Sequence, residues 1–217
     1  KAPPGSSTTS RLSHFQSCFS LAFNPVSPNT SDSFCFRFVQ KDLHKKTFLF
    51  MNRIPKNIIK VDPFGLLSEF PCIIQQPIHW GEMDSFGHLN NVQFLRYFET
   101  SRISYMQSLT TYAKHMENGI GPIIYKLDSS FLGQVKFPDT LYVATKIPLD
   151  TIRERSYVMK HCMVSSEEQR IVAEATAVIV TYDYRAQKKT KHPQDFLESI
   201  FEAEKGDVNM DDWMKEL

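Results

Sequence analysis

Within eight positions the chain carries a carboxylate, a glycine, a histidine and two asparagines: Asp84-Ser-Phe-Gly87-His88-Leu-Asn90-Asn91. An aromatic-rich helical stretch follows directly. A carboxylate at such a junction can attack a carbonyl carbon or activate a water molecule. The first turn of the helix would present unpaired N–H groups around Asn91 and Val92, at the positive end of the helix dipole. That terminus suits an oxygen that becomes negative during acyl transfer. Gly87 would permit a sharp turn and close backbone approach. Acid, turn and oxyanion donor thus share one short segment, and no Ser-His-Asp triad is needed.

Each of these residues also has a plainer role. Asp84 can cap or tighten a turn, His88 can hydrogen-bond the backbone there, and Asn90 and Asn91 are natural turn and cap residues. Glu82 would share a side with Asp84 if a strand continued through both, and close carboxylates raise one pKa of a pair. Glu99 and Arg102 are spaced i,i+3, as in a helix ion pair.

The elements that position this segment can be read on either side of it. Phe70 to Trp80 reads as a strand, with Pro77 placing it at an edge or a bulge. The helix runs from Val92 to Leu109. Phe94, Phe98, Ser101, Tyr105 and Leu109 form one stripe, which Val92, Leu95 and Met106 widen, so other elements should wrap it. Gly119, Gly121 and Pro122 follow as helix stops.

Four strand candidates come next, at 122–132, 140–147, 156–164 and 171–184, and their short turns favour antiparallel meander pairing. Ala173, Ala175 and Ala177 alternate on the last of them, either to admit a close neighbour or simply to pack against the helix. Pro193 opens a short amphipathic helix with Phe196, Leu197, Ile200 and Phe201. The order gives an α+β domain with one long helix on a curled antiparallel sheet.

Composition bounds the rest. The chain has 217 residues, 41% hydrophobic and 23% charged, with a net charge of +1. Nothing in that balance calls for nucleic acid or a membrane surface, and no apolar run is long enough to span a bilayer. Cys18, Cys35, Cys72 and Cys162 form no CxxC pair, and the histidines show no ligand spacing, so neither a metal site nor a bound cofactor is expected.

Residues 1–50 differ in character, with six Lys/Arg against Asp32 and Asp42, and nine serines. This resembles an organelle transit peptide, or an unstructured extension ahead of a start at Met51. The expectation is a mitochondrial or other organellar location if the segment is a transit peptide, and a cytoplasmic one otherwise. The division is an extension over 1–60, a domain over 61–203, and an acidic tail over 204–217.

The segment from Trp80 to Arg102 resembles the signature of the hotdog-fold acyl-CoA thioesterases, in the 4-hydroxybenzoyl-CoA thioesterase-like superfamily. The pattern is D-x-x-G-H-x-N-N and then an aromatic helix ending F-E-x-x-R. It is met here by Asp84, Gly87, His88, Asn90, Asn91, Phe98, Glu99 and Arg102, and the likeness extends over roughly 70–203.

The resemblance implies a hotdog fold and an acyl-CoA thioester hydrolase. Asp84 would be nucleophile or general base, supported by Gly87, His88 and Asn91, with Asn90, Val92 and Glu99 towards the substrate. It also implies a homodimer or homotetramer with sites between subunits, and acyl-CoA or an acyl carrier protein as substrate carrier. Phe94 departs from a tyrosine often found in the family. Arg153, Arg155, Lys188, Lys189 and Lys191 are candidates for CoA phosphates, or an ordinary solvated face. The rival readings are a non-catalytic acyl-binding module and a hotdog enoyl-thioester hydratase.

Overall fold

In a computed structural model, the described residues are 58–59 and 62–204. The expectations for 1–50 and for most of the acidic tail lie outside them. The elements are β1 (Ile58–Ile59), β2 (Cys72–Pro77), a 3-10 turn (Trp80–Glu82), α1 (Asn91–Ser108), α2 (Tyr112–Glu117) and β3 (Ile120–Phe131). They continue with β4 (Thr140–Lys146), β5 (Ser156–Ser165), β6 (Arg170–Asp183), β7 (Lys188–Lys189) and α3 (Gln194–Glu204).

One antiparallel sheet runs in the order β1-β2-β4-β5-β6-β3, with β7 pairing to β6. It curls around α1, which packs against β2 and β4, so the expected α+β architecture holds. The meander expectation holds only for β4-β5-β6. β3 lies on the far side of β6, and the chain recrosses the sheet through residues 132–139 to place β4 beside β2.

Three further expectations are corrected. The strand near 70–80 stops at Pro77, and Trp80–Glu82 forms a tight turn, so Glu82 does not share a strand face with Asp84. Pro77 is nevertheless tolerated, because among the described residues β1 covers only Ile73 and Ile74 and leaves that side of β2 open at Pro77. Val92 is exposed and does not widen the core stripe. Finally, the chain turns again into α2 after Leu109 caps α1.

The core gathers Phe94, Phe98, Tyr105 and Met106 of α1, and Leu109 at its C-cap, with Ile74, Val143 and Met159 of the sheet. Ala173, Ala175 and Ala177 are in the same cluster, so the alanine row packs the core. Two polar links cross this apolar interior. Glu204, the last residue of α3, accepts from the Tyr105 hydroxyl at 2.5 Å and from the Ile147 N–H at 2.7 Å. Burial still pushes the Glu204 carboxyl above its usual range, the two hydrogen bonds only partly offsetting it.

The second link joins α1 to the sheet. Ser101 Oγ donates to the Val143 carbonyl at 3.1 Å and therefore accepts from Thr145 Oγ1 at 2.7 Å. Thr145 then accepts from Nδ1–H of His161 at 2.8 Å, which leaves Nε2 as a bare, buried acceptor. Burial first, and the Arg102 guanidinium second, depress the His161 pKa from 6.5 to about 3.

A histidine held neutral in the fold binds its proton more readily when unfolded. Its contribution to stability is whole above pH 6.5 and is lost as pH falls from there towards 3. The loss over that window is about 4–5 kcal/mol. Urea unfolding between pH 7 and 4 should therefore show a steep decline for the native chain. His161→Asn, which keeps a donor to Thr145 but cannot titrate, should flatten it. An unchanged slope would show that the titration lies elsewhere.

Candidate active site

The site segment folds as a small closed loop. Met83 and Leu89 form an antiparallel bridge, the Asp84 N–H donates to the His88 carbonyl at 2.7 Å, and the Gly87 N–H donates to the Asp84 carbonyl at 3.0 Å. Gly87 has φ +73°, a conformation that a side chain disfavours. A Cβ there would meet nothing within 4 Å, so in this chain glycine serves the turn and not a close approach.

Asp84 is half-buried at the mouth of the loop. Its Oδ1 accepts from the Phe86 N–H at 2.8 Å and from the His88 N–H at 3.2 Å. Oδ2 has no hydrogen-bond partner among the described residues. The plainer reading of Asp84 as a turn-forming acid is thus met by one oxygen, and the second remains available. His88 takes part through its backbone, and its ring makes no hydrogen bond among the described residues.

Helix α1 begins where the loop closes. Asn90 is its N-cap, and its side-chain oxygen accepts the Val92 N–H at 2.9 Å. Such a cap contributes about 1 kcal/mol. The Gln93 N–H bonds to the Asn90 carbonyl at 2.8 Å. The pair of free donors expected at Asn91 and Val92 therefore reduces to one, because Val92 is already capped. The Asn91 N–H has no partner among the described residues.

The surroundings are apolar and open. Trp80 and Phe86 are 77% and 82% exposed, and the Val92 side chain is also exposed. Phe94 is buried edge-on against Phe131 at 5.4 Å between ring centroids. The Leu89 N–H donates to the Val135 carbonyl at 2.8 Å, which seats the site loop on the chain that leaves β3. A groove of about 710 Å³ opens along that segment, with Lys136 and Arg170 set against Glu167 and Glu168. Asp139 lines it too, so three acidic residues face two basic ones and the groove offers no net attraction to phosphate.

Further along α1, Glu99 is exposed and lies 3.6 Å from the buried Arg102 guanidinium. Burial lowers the Arg102 pKa and Glu99 partly restores it. Glu99 is not brought to Asp84 by any contact among the described residues. The basic candidates for phosphate contact are mostly engaged. Arg153 binds the Asp150 and Ile152 carbonyls, Arg155 and Lys191 pair with Glu154, and Lys189 lies over the Tyr125 ring. No group of three His, Cys, Asp or Glu among the described residues could hold a metal ion. No helix among them is long and apolar enough to cross a membrane.

Sequence reasoning missed what holds the loop to the helix. The Glu82 carboxylate accepts from the Tyr97 hydroxyl at 2.5 Å and the His79 N–H at 2.7 Å, and its backbone carbonyl accepts from the Asn90 N–H at 3.0 Å. Glu82 and Tyr97 are fifteen residues apart. Neither helical nor strand periodicity relates them, so the spacing carried no signal.

Solved structures share this architecture. The PA2801 protein of Pseudomonas aeruginosa is 25% identical, with a TM-score of 0.52, over 59% of this chain and 96% of its own. A thioesterase from Thermus thermophilus, crystallised with coenzyme A and zinc, is 20% identical with a TM-score of 0.57, over 65% and 99%. The DHNA-CoA thioesterase of Staphylococcus aureus is 17% identical with a TM-score of 0.54, over 63% and 95%. No curated protein matches at the sequence level. The family model of the thioesterase-like superfamily matches residues 78–200, from the strand exit through the Asp84 loop to α3. With more than half its length inside that match and a hotdog fold around the loop, the chain belongs to the thioesterase-like superfamily.

Proposed function

We propose that the chain hydrolyses acyl-CoA thioesters, with Asp84 as the reacting carboxylate and the Asn91 N–H as donor to the oxyanion. The observation that carries this reading is the division of labour at Asp84. Two backbone N–H groups hold one of its oxygens, and among the described residues the other is unbonded, ahead of an N–H at the start of α1 that likewise has no partner there.

As general base, Oδ2 takes a proton from water while the water oxygen attacks the thioester carbonyl carbon. The carbonyl electrons move to its oxygen, where the helix N-terminus stabilises the charge. When the carbonyl re-forms, the C–S bond breaks, and the thiolate leaves and takes up the proton. The products are a carboxylic acid and the free thiol. As nucleophile, the same oxygen would form a mixed anhydride with loss of thiolate, and water would then cleave that anhydride.

Coenzyme A as carrier is suggested by the Thermus thermophilus neighbour's bound coenzyme A. An acyl carrier protein presents the same thioester. Gly87 and His88 shape the loop, and Asn90 fixes the helix start. Val92 and Glu99, exposed along α1, are proposed to line the path of the substrate. The proposed catalytic unit is the domain expected over 61–203, extended by Glu204 that closes α3 onto the core, acting as a homodimer or a larger homo-oligomer. Its uncovered edge strand β3, with no partner on its outer side among the described residues, supports that assembly.

The test is a panel of acyl-CoA substrates, short, long and aromatic, followed by trapping of the released thiol. Turnover on at least one is expected. Binding without thiol release across the panel would favour a non-catalytic acyl-binding module. Loss of the double bond of crotonyl-CoA without thiol release would favour a hydratase.

A further inference from the structure

We infer that Glu82 and Tyr97 form a positioning clamp that sets where Asp84 stands relative to the Asn91 N–H; the inference rests on Asp84 being the reacting group. Four hydrogen bonds radiate from Glu82, one of them from its own N–H to the His79 carbonyl at 3.0 Å. Its Oε2 reaches back to the His79 N–H, where the chain has just left β2, and across to the Tyr97 hydroxyl in the second turn of α1. Its carbonyl takes the N–H of Asn90, the residue that caps α1. Asp84 is two residues past Glu82, and Asn91 is one past Asn90. Both reacting groups therefore hang on very short stretches of chain from one anchored residue.

The chemistry of the pair suits an anchor. The Tyr97 ring is buried in the core, so the ring cannot follow a shifted loop. Burial first, and the bond to Glu82 second, push the Tyr97 hydroxyl well above its usual pKa, so it stays protonated and donates. A donor to a carboxylate makes a shorter and stronger bond than a neutral pair. Each carboxylate has one oxygen that takes two donors, Oε2 in Glu82 and Oδ1 in Asp84, and one without a partner among the described residues. What separates them is reach: both bonds of Asp84 stay inside its own turn, whereas Glu82 is tied to a buried side chain of α1, which suits it to position the loop.

The experiment compares Glu82→Gln, Glu82→Ala, Tyr97→Phe, the double variant Glu82→Ala/Tyr97→Phe and Asp84→Asn in the full chain. kcat and KM for acyl-CoA hydrolysis are measured separately, after circular dichroism and sedimentation confirm the native fold and assembly. Glu82→Ala and Tyr97→Phe should each lower kcat on the order of tenfold with KM little changed. The double variant should be no worse than Glu82→Ala, since one link is broken in both. Glu82→Gln should keep most activity, because its amide oxygen accepts the same two bonds.

A glutamine variant as inactive as the alanine one would overturn the clamp in favour of carboxylate chemistry at Glu82. Losses that multiply in the double variant, or that fall on KM alone, would overturn it as well. If Tyr97→Phe does not fold, the glutamine and alanine pair at Glu82 decides alone. Full turnover in Asp84→Asn overturns the reading of the site itself. An inactive Asp84→Asn beside unaffected Glu82 and Tyr97 variants overturns the clamp only.

Discussion

Replacing Asp84 by asparagine is expected to lower acyl-CoA turnover by about 10²- to 10⁴-fold. The fold and the oligomeric state should be unchanged. Asparagine is nearly the same size and its amide oxygen can still accept the Phe86 and His88 N–H groups, so the turn keeps both of its bonds. What it loses is Oδ2 as a base or nucleophile. Stability measured by thermal unfolding should stay close to that of the native chain, and thiol release under saturating substrate should collapse. A variant that releases thiol at the native rate would remove Asp84 from the mechanism and leave it as a turn residue only.

The second large effect concerns the sheet edge. β3 is twelve residues long and its outer side is unpaired among the described residues. Opposite residues of an antiparallel pair share a face. Ile124 and Leu127 therefore share the face of Ile179 and Ala177, which is the core face, across the bulge between Ile124 and Lys126. Yet they are 43% and 36% exposed. Phe131, opposite Ala173, is 46% exposed on the same face.

The substitution Ile124→Lys/Leu127→Lys should leave each subunit folded, since both positions are open to solvent in the single chain. It should bury four lysines in a dimer built on this edge, at a cost association cannot meet. The expected outcome in analytical ultracentrifugation is a monomer, with activity down by at least about 10²-fold if each site needs its second subunit. A monomer with full activity would show that the site is complete within one chain. A dimer that persists would place the interface elsewhere.

Much of this fold could be read without coordinates, for reasons that differ by element. The turn at Asp84–Gly87 and the start of α1 were visible because glycine and asparagine do there what few other residues can. The bounds of β4, β5 and β6 were marked by alternation and by polar turns such as 165–170. α2 was not visible, because six residues after a capped helix end are too few for a period to emerge.

The placement of β3 at the far edge was not visible either, since strand order depends on distant pairing and not on local pattern. The same limit hid the polar links. Nothing near Ser101, Thr145 or His161 in sequence announces that they form one chain of hydrogen bonds. At the site, two adjacent asparagines, Asn90 and Asn91, could each cap the helix; that Asn90 does so and thereby removes one oxyanion donor required the geometry.

The bond from Glu204 back to Tyr105 and Ile147 bears on where this chain can be cut. The matched family segment ends at residue 200, four residues short of that carboxylate. A recombinant fragment that keeps β2 but stops at the C-terminal end of the match would keep Phe196, Leu197 and Ile200 yet leave the buried Tyr105 hydroxyl and the Ile147 N–H without their acceptor, at about 1–3 kcal/mol each. For a domain of marginal stability that is a large share of the total. The smallest fragment worth expressing therefore runs past Glu204.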